Sequence, residues 1–166
     1  MYVALIETDQ RLAERTGRGR SAASSAVGAR NKQLDWRRSN VEIHIDGVIG
    51  EIAFCRYYGL FFDERVTPGG GRRPDVVDQY GNRIDVKAAR RPHDRLMLYL
   101  PKPGENNYEN IDIFVLTRLH RYPPFVEIVG WAYKTDLMRA ENLQDVGYGP
   151  TYFLNENDPR FHKMIP

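Results

Sequence analysis

Three side chains in the stretch Pro74-Asp75-Val-Val-Asp-Gln-Tyr-Gly-Asn-Arg-Ile-Asp85-Val86-Lys87 could do chemistry together. Asp75 and Asp85 are ten residues apart, and Lys87 follows two residues after the second acid. Side chains two apart on a strand share a face, so Asp85 and Lys87 point the same way and Val86 the other. If the stretch is a hairpin, Asp75 lies across from residues 85–87, and two carboxylates and one amine meet on one patch. Two carboxylates at close range raise each other's pKa unless a cation sits between them. Mg²⁺ or Mn²⁺ would relieve that repulsion, since such an ion prefers oxygen ligands and keeps several waters. The backbone carbonyl of Val86 is a further candidate oxygen. The plain alternative is a solvated hairpin whose charges serve solubility alone.

The hairpin itself is legible. Strands are expected over 74–78 and 83–89, joined through Gln79-Tyr-Gly-Asn82, whose Gly and Asn tolerate a tight turn. Asp78 reads as a turn residue. A second element must bring Glu51 to the same place. Ser39-Asn-Val-Glu42 has the form of a capping box, and Val41, Ile45, Val48, Ile49, Ile52, Ala53 and Cys55 recur at helical spacing. A helix over 40–58 follows. Glu51 shares a stripe of it with His44 and Tyr58, bordering the apolar stripe, so that Glu51 can reach the metal edge. Gly47 and Gly50 each weaken the helix by about 1 kcal/mol relative to alanine, which suggests close backbone approach.

Elsewhere, residues 1–7 fit a short strand or the lead into a helix over 9–17 capped by Thr8. Residues 17–30 are small and basic, and read as a mobile loop or a loosely formed helix that orders on a ligand. A strand is expected from Leu60 to about Val66, another over Arg95–Leu100, a central one over Ile111–Leu119 and one over Phe125–Ala132. A helical turn over Tyr133–Met138 has Thr135 as its cap. Helix, strands and a late helix together point to α/β or α+β with a mixed sheet covered by a helix. The chain has 166 residues, 42% hydrophobic and 28% charged, which suits one globular domain. Its single cysteine, Cys55, reads as a core residue, and no Cys/His cluster has zinc spacing. With one thiol, a reducing cytoplasm is the expected home. The opening MYVALIETDQ lacks the basic flank of a signal peptide, and no apolar run is long enough for a membrane span.

The net charge of +2 says little, but its distribution says more. Arg11, Arg15, Arg18, Arg20, Arg30, Lys32, Arg37 and Arg38 face only Glu14 and Asp35 within residues 11–38, and Arg72, Arg73, Arg90, Arg91 and Arg95 flank the hairpin. Clusters of this sign suit nucleic-acid phosphates. The alternative is a solvated basic face.

Gly50-Glu51 on a helix, then Pro74-Asp75, then Asp85-Val-Lys87 on strands, in that order, resemble the PD-(D/E)xK nuclease superfamily over roughly residues 40–90. The strands at IDIFVLTRL and FVEIVGWAYKTDLM resemble the rest of its core. That core runs helix, three-strand meander, helix, strand, and residues 90–110 show no helical pattern. The resemblance implies a restriction-endonuclease-like domain over 1–166, with a mixed central sheet flanked by helices and a basic N-terminal segment at about 9–38. It implies Mg²⁺- or Mn²⁺-dependent hydrolysis of DNA. Asp75 and Asp85 would hold the metal with the Val86 carbonyl and Glu51 as helper ligand, and Lys87 would orient or deprotonate the water or stabilise the transition state. Arg18, Arg20, Arg30, Lys32, Arg72, Arg73, Arg90 and Arg91 would hold phosphates. A phage or mobile-element enzyme, working in the host cytoplasm if phage-encoded, or a repair and processing nuclease is in keeping with the chain's size, as is a homodimer that cuts both strands. The rivals are a nucleic-acid-binding module that does not cut and an interaction scaffold with the same fold.

Overall fold

The computed structural model of the chain describes residues 1–28, 38–66, 73–91, 95–101, 108–120, 125–145, 147 and 149–163. Chain order is β1 (Tyr2–Ala4), α1 (Glu7–Ala26), α2 (Asn40–Tyr58), β2 (Val76–Val77), β3 (Arg83–Ala89), β4 (Leu96–Tyr99), β5 (Ile113–Leu119), β6 (Phe125–Tyr133), α3 (Lys134–Leu137), β7 (Leu143–Asp145) and β8 (Pro150–Leu154). Five strands form a mixed sheet in the order β1-β6-β5-β3-β2, with β3 and β5 parallel and the other pairs antiparallel. A separate antiparallel sheet has the order β4-β8-β7. The fold is therefore mixed α/β, a curled sheet with flanking helices, as the pattern of helix and strands implied.

Every residue of β5 is buried, which is why it opens on the continuous apolar run Ile113–Leu116 rather than alternating. It has core on both faces. On one face Ile113 and Val115 join Ile84, Val86, Ile128 and Trp131 beneath Phe54 and Cys55 of α2. On the other face Phe114 and Leu116 pack with Leu96, Leu98 and Leu154 of the small sheet and Leu137 of α3. The helical side continues into a third cluster in which Val48, Ile52 and Ala53 of α2 meet Ala13 of α1.

The helix over 40–58 forms as expected. Ser39 Oγ accepts from the Glu42 N–H at 3.2 Å, and the Glu42 carboxylate accepts from the Ser39 N–H at 2.7 Å. Gly59, at φ 65°, closes the helix in the left-handed conformation. Strand β3 has its expected bounds, and β2 keeps only two of the five residues expected of it. Gly81 takes φ 84° in the hairpin turn, where the Asp78 carboxylate accepts from the Tyr80 and Asn82 N–H groups at 2.9 and 2.8 Å.

Three expectations need correction. Residues 60–66 form no strand; they are an irregular segment whose Leu60 and Phe62 pack on the helical-side core. Helix α1 starts at Glu7, is capped at Ile6 rather than Thr8, and runs on through the small, basic stretch to Ala26. Packing explains the extension: Thr16, Gly17 and Ser21 are buried, and a Cβ on Gly17 would lie 2.7 Å from Ile45 Cα in α2. The small residues are what let the two helices touch. Thr135 lies inside the short helix α3, which begins after Tyr133 without a side-chain cap. The strand expected over 95–100 forms at Leu96–Tyr99, and its partner is Pro150–Leu154 in the small sheet. Among the described residues no helix is long and apolar enough to cross a membrane.

Candidate functional site

The hairpin is the scaffold for the three residues first singled out. Strand β2 pairs with β3 only through Val76 opposite Ile84 and Val77 opposite Arg83. One step further, the Asp75 N–H donates to the Ile84 carbonyl at 2.9 Å. There the backbones part, and the Asp75 side chain takes over the ladder: its Oδ2 accepts from the Val86 N–H at 2.8 Å. The Asp75 carboxylate is thus fixed at the edge of β3, in line with the strand that carries Asp85 and Lys87.

Asp85 and Lys87 share a face, as expected of residues two apart. Lys87 Nζ lies 2.5 Å from Asp85 Oδ1. Their neighbours in β5 are Phe114 and Leu116, and the ammonium stands 5.9 Å from the Phe114 ring centroid. This is the face turned away from α2. Burial alone would lower the Lys87 pKa, but the charges of Asp85 and Asp75 and the bond to Asp85 outweigh it, so the group is held firmly as an ammonium.

Glu51 approaches from the helical side. Gly50 sits so close to the sheet that a Cβ there would lie 2.5 Å from Thr117 Oγ1 and 3.3 Å from Ala88 Cβ. The next residue, Glu51, is buried at 4% exposure, and not on the helix surface. Its Oε1 accepts from Arg20 Nη1 at 2.6 Å, while its Oε2 is buried without a hydrogen-bond partner. Burial pushes the Glu51 pKa up against the opposing pull of Arg20, with Asp85 adding to the rise. Asp75 is pushed up further, by burial first and then by the negative charges of Glu51 and Asp85; Lys87 and the Val86 amide pull the other way without prevailing. The three acids, Arg20 and Lys87 therefore belong to one electrostatic cluster around the edge of β3.

The cluster is arranged differently from a preformed metal cage. Asp85 and Glu51 come from opposite faces of the sheet, with Asp75 at the edge between them, and a cation already stands on each of the outer two. Among the described residues no group of three or more His, Cys, Asp or Glu side chains is set to hold a metal ion. The donor chemistry nevertheless suits a hard cation: oxygen ligands, one of them buried and unpartnered, on acids that crowd one another. Asp75, Asp85, the Val86 carbonyl and Glu51 are the groups that would hold it.

The basic residues divide. Arg18 is exposed and paired with Glu14 at 2.8 Å. Arg73 and Arg91 are exposed. Arg90 is clamped to buried Asp46 through two bonds of 2.5 and 2.6 Å, and Arg38 pairs with the same carboxylate. Arg20, expected on a phosphate-binding arm, instead points inward to Glu51. Arg30, Lys32 and Arg72 lie outside the described residues. His44 is half-buried, and its pKa is lowered by burial and by Arg20. Cys55 is a core residue as read; burial pushes its thiol up to about 12. The sequence reading missed the inward role of Arg20 and the Asp46 clamp. Neither has a local signal, because the partners are 31 and 44 residues apart.

Comparison of the chain with protein-family models, with curated proteins and with solved structures finds no match.

Proposed function

We propose that the chain is a Mg²⁺- or Mn²⁺-dependent deoxyribonuclease of the PD-(D/E)xK kind, its sheet and helices serving as a restriction-endonuclease-like core. One observation carries the reading: where β2 leaves β3, Asp75, Asp85 and Lys87 gather with the buried, half-satisfied carboxylate of Glu51. Four charged groups at one sheet edge are costly to a fold unless they act on something. A divalent ion bound there would polarise a phosphoryl oxygen and acidify a bound water.

The chain's own residues supply the rest. Asp75 and Asp85 bring negative charge to the edge of β3 from two strands, and the Val86 N–H fixes the Asp75 carboxylate. Lys87, kept protonated beside Asp85, suits stabilisation of charge on the phosphate better than removal of a proton from water. Exposed Arg18, Arg73 and Arg91 would contact DNA phosphates away from the reacting bond.

A second reading has its own observation. Arg20 and Lys87 already neutralise Glu51 and Asp85, which is what a non-cleaving binding module or scaffold with structural ion pairs would show. The discriminating experiment is cleavage of supercoiled plasmid with Mg²⁺ against chelator. The nuclease should nick or linearise it only with metal. Asp85→Ala and Lys87→Ala should each lower turnover by about a hundredfold or more while DNA binding and the fold persist. Full turnover in both variants removes the assignment; binding without cleavage gives the second reading.

A further inference from the structure

Arg20, expected on a phosphate-binding arm, is the part of the cluster whose inward bond to Glu51 the nuclease reading leaves unexplained. It belongs to α1, which is held against α2 by the close contact of Gly17 with Ile45, one turn before Arg20. The side chain is therefore placed by a packed pair of helices. At 23% exposure it covers Glu51, whose own side chain is at 6%. Yet its grip is slight for a guanidinium. It gives Glu51 one bond of 2.6 Å and reaches the Asp63 carbonyl with another of 3.5 Å. The second Glu51 oxygen stays buried and bare. A structural arginine clamp in this same protein looks different: Arg90 gives both oxygens of Asp46 a bond. An arginine that satisfies one oxygen of a buried acid leaves the other with its full desolvation cost, so the site holds one cation and has donor capacity for a second.

We infer that Arg20 is the resident counter-cation of the carboxylate site, competing with the divalent ion for Glu51, and that on metal entry its guanidinium turns to the substrate phosphate. The inference rests on the nuclease reading. The chemistry is consistent at each step. Glu51 needs a positive partner while no metal is bound, because an ionised carboxylate alone in the interior is expensive. The Arg20 guanidinium, bonded to Glu51, would be repelled by a dication held at that carboxylate. Arginine then has the planar fork that suits a phosphate with two oxygens free. Arg20 is thereby a positioning residue for Glu51 before metal binding and a phosphate ligand after it.

The test is a titration of Mn²⁺ alone into the protein without DNA, followed by calorimetry. Arg20→Gln removes the competing charge and should bind Mn²⁺ about tenfold tighter than wild type, the change equivalent to one pKa unit of interaction. Arg20→Lys keeps the charge and should stay near the wild-type affinity. With DNA present, Arg20→Gln should need less metal for half-maximal cleavage yet show a raised KM for DNA. Should Arg20→Gln fail to fold, the wild-type protein reads the same event: the Arg20 guanidinium ¹⁵N–¹H resonances should shift as diamagnetic Mg²⁺ is added. Mn²⁺ affinity unchanged or weakened in folded Arg20→Gln, or guanidinium resonances unmoved at saturating Mg²⁺, overturns the inference and makes Arg20 a helix–helix clamp. If the wild type still cleaves in that case, the nuclease reading survives. If wild type neither binds Mn²⁺ nor cleaves, both fall together.

Discussion

Asp75 is held by two interactions that favour its charge and three that oppose it. The Val86 N–H and Lys87 favour the carboxylate, but burial and the charges of Glu51 and Asp85 win, and its pKa rises well above the usual range. At neutral pH an ionised Asp75 is thus a source of stored cost, kept because a cation can use it. Asp75→Asn separates the two roles. The amide oxygen can still accept from the Val86 N–H, now 2.8 Å from Oδ2, while the charge is gone. The variant should be more stable than wild type at pH 7 in chelator. For a chain of this size each 1 kcal/mol gained corresponds to about 2–4 °C in Tm. It should at the same time lose metal-dependent cleavage, the common exchange of activity for stability at a functional site. A scanning-calorimetry Tm below that of wild type would mean that the carboxylate is well solvated or paired after all, and that the crowding described above is not felt.

At the scale of the elements, what the sequence made legible follows from where the signal is local. Helix α2 announces itself through its capping box and 3.6-residue apolar period, β3 and its turn through alternation and Gly81, and β5 and β6 through apolar runs of strand length. The trio Asp75, Asp85 and Lys87 was legible for the same reason: a short hairpin fixes its own register. The second half of α1 was not, because Gly17, Gly19 and the serines of 17–26 disfavour a helix, no large apolar residue there marks a buried face, and the stretch becomes helical through contact with α2. The strand expected at 60–66 fails because an apolar Leu-Phe-Phe run serves equally well as irregular chain pressed on a core. Nothing local distinguishes β4 and β8 as partners of each other rather than of the main sheet. The two glycines of α2 looked alike in sequence and differ in the fold. A Cβ at Gly47 meets nothing within 4 Å, while at Gly50 it would lie 2.5 Å from Thr117 Oγ1. Gly47→Ala should therefore stabilise the protein by about 0.5–1 kcal/mol through helix propensity. Gly50→Ala should cost about 1–3 kcal/mol by overpacking the helix against β5. Adding Thr117→Ala should recover part of that loss but not all, since Ala88 Cβ remains at 3.3 Å and the bond from Thr117 Oγ1 to the Lys87 carbonyl is lost. Equal responses at positions 47 and 50 in urea melts would show that α2 does not lie on the sheet as described.

For the whole molecule these local pKa shifts add up to a pH profile that metal should reshape. Asp75 and Glu51 have folded-state pKa values raised above the ordinary carboxylate value of about 4. Between the unfolded and folded values the native chain binds more protons than the unfolded one, so stability falls as pH rises. Their contribution is complete below about pH 4 and is lost as pH climbs through the folded pKa values. Asp63, Asp112 and Asp158 oppose this at the acid end. Hydrogen bonds from Arg65, Arg83 and Arg160 hold each of them down to about 2, so their contribution is present above about pH 4 and fades as pH falls toward 2. These three pairs are partly exposed and each is correspondingly weak. In chelator Asp75 and Glu51 should thus lower Tm as pH rises above the ordinary carboxylate value of about 4, with half-buried His44 opposing them only up to its ordinary value of about 6.5. A divalent ion binds only the ionised carboxylates, so its affinity should grow as pH rises. At a hundredfold excess over Kd it would return about 2.7 kcal/mol, enough to flatten or reverse the decline. Melting curves at pH 5, 6, 7 and 8 in chelator and in Mg²⁺ check both halves. A chelator profile that rises toward pH 8 would show that Asp75 and Glu51 are not held protonated by the fold. Identical profiles with and without Mg²⁺ would show that the site takes no divalent ion.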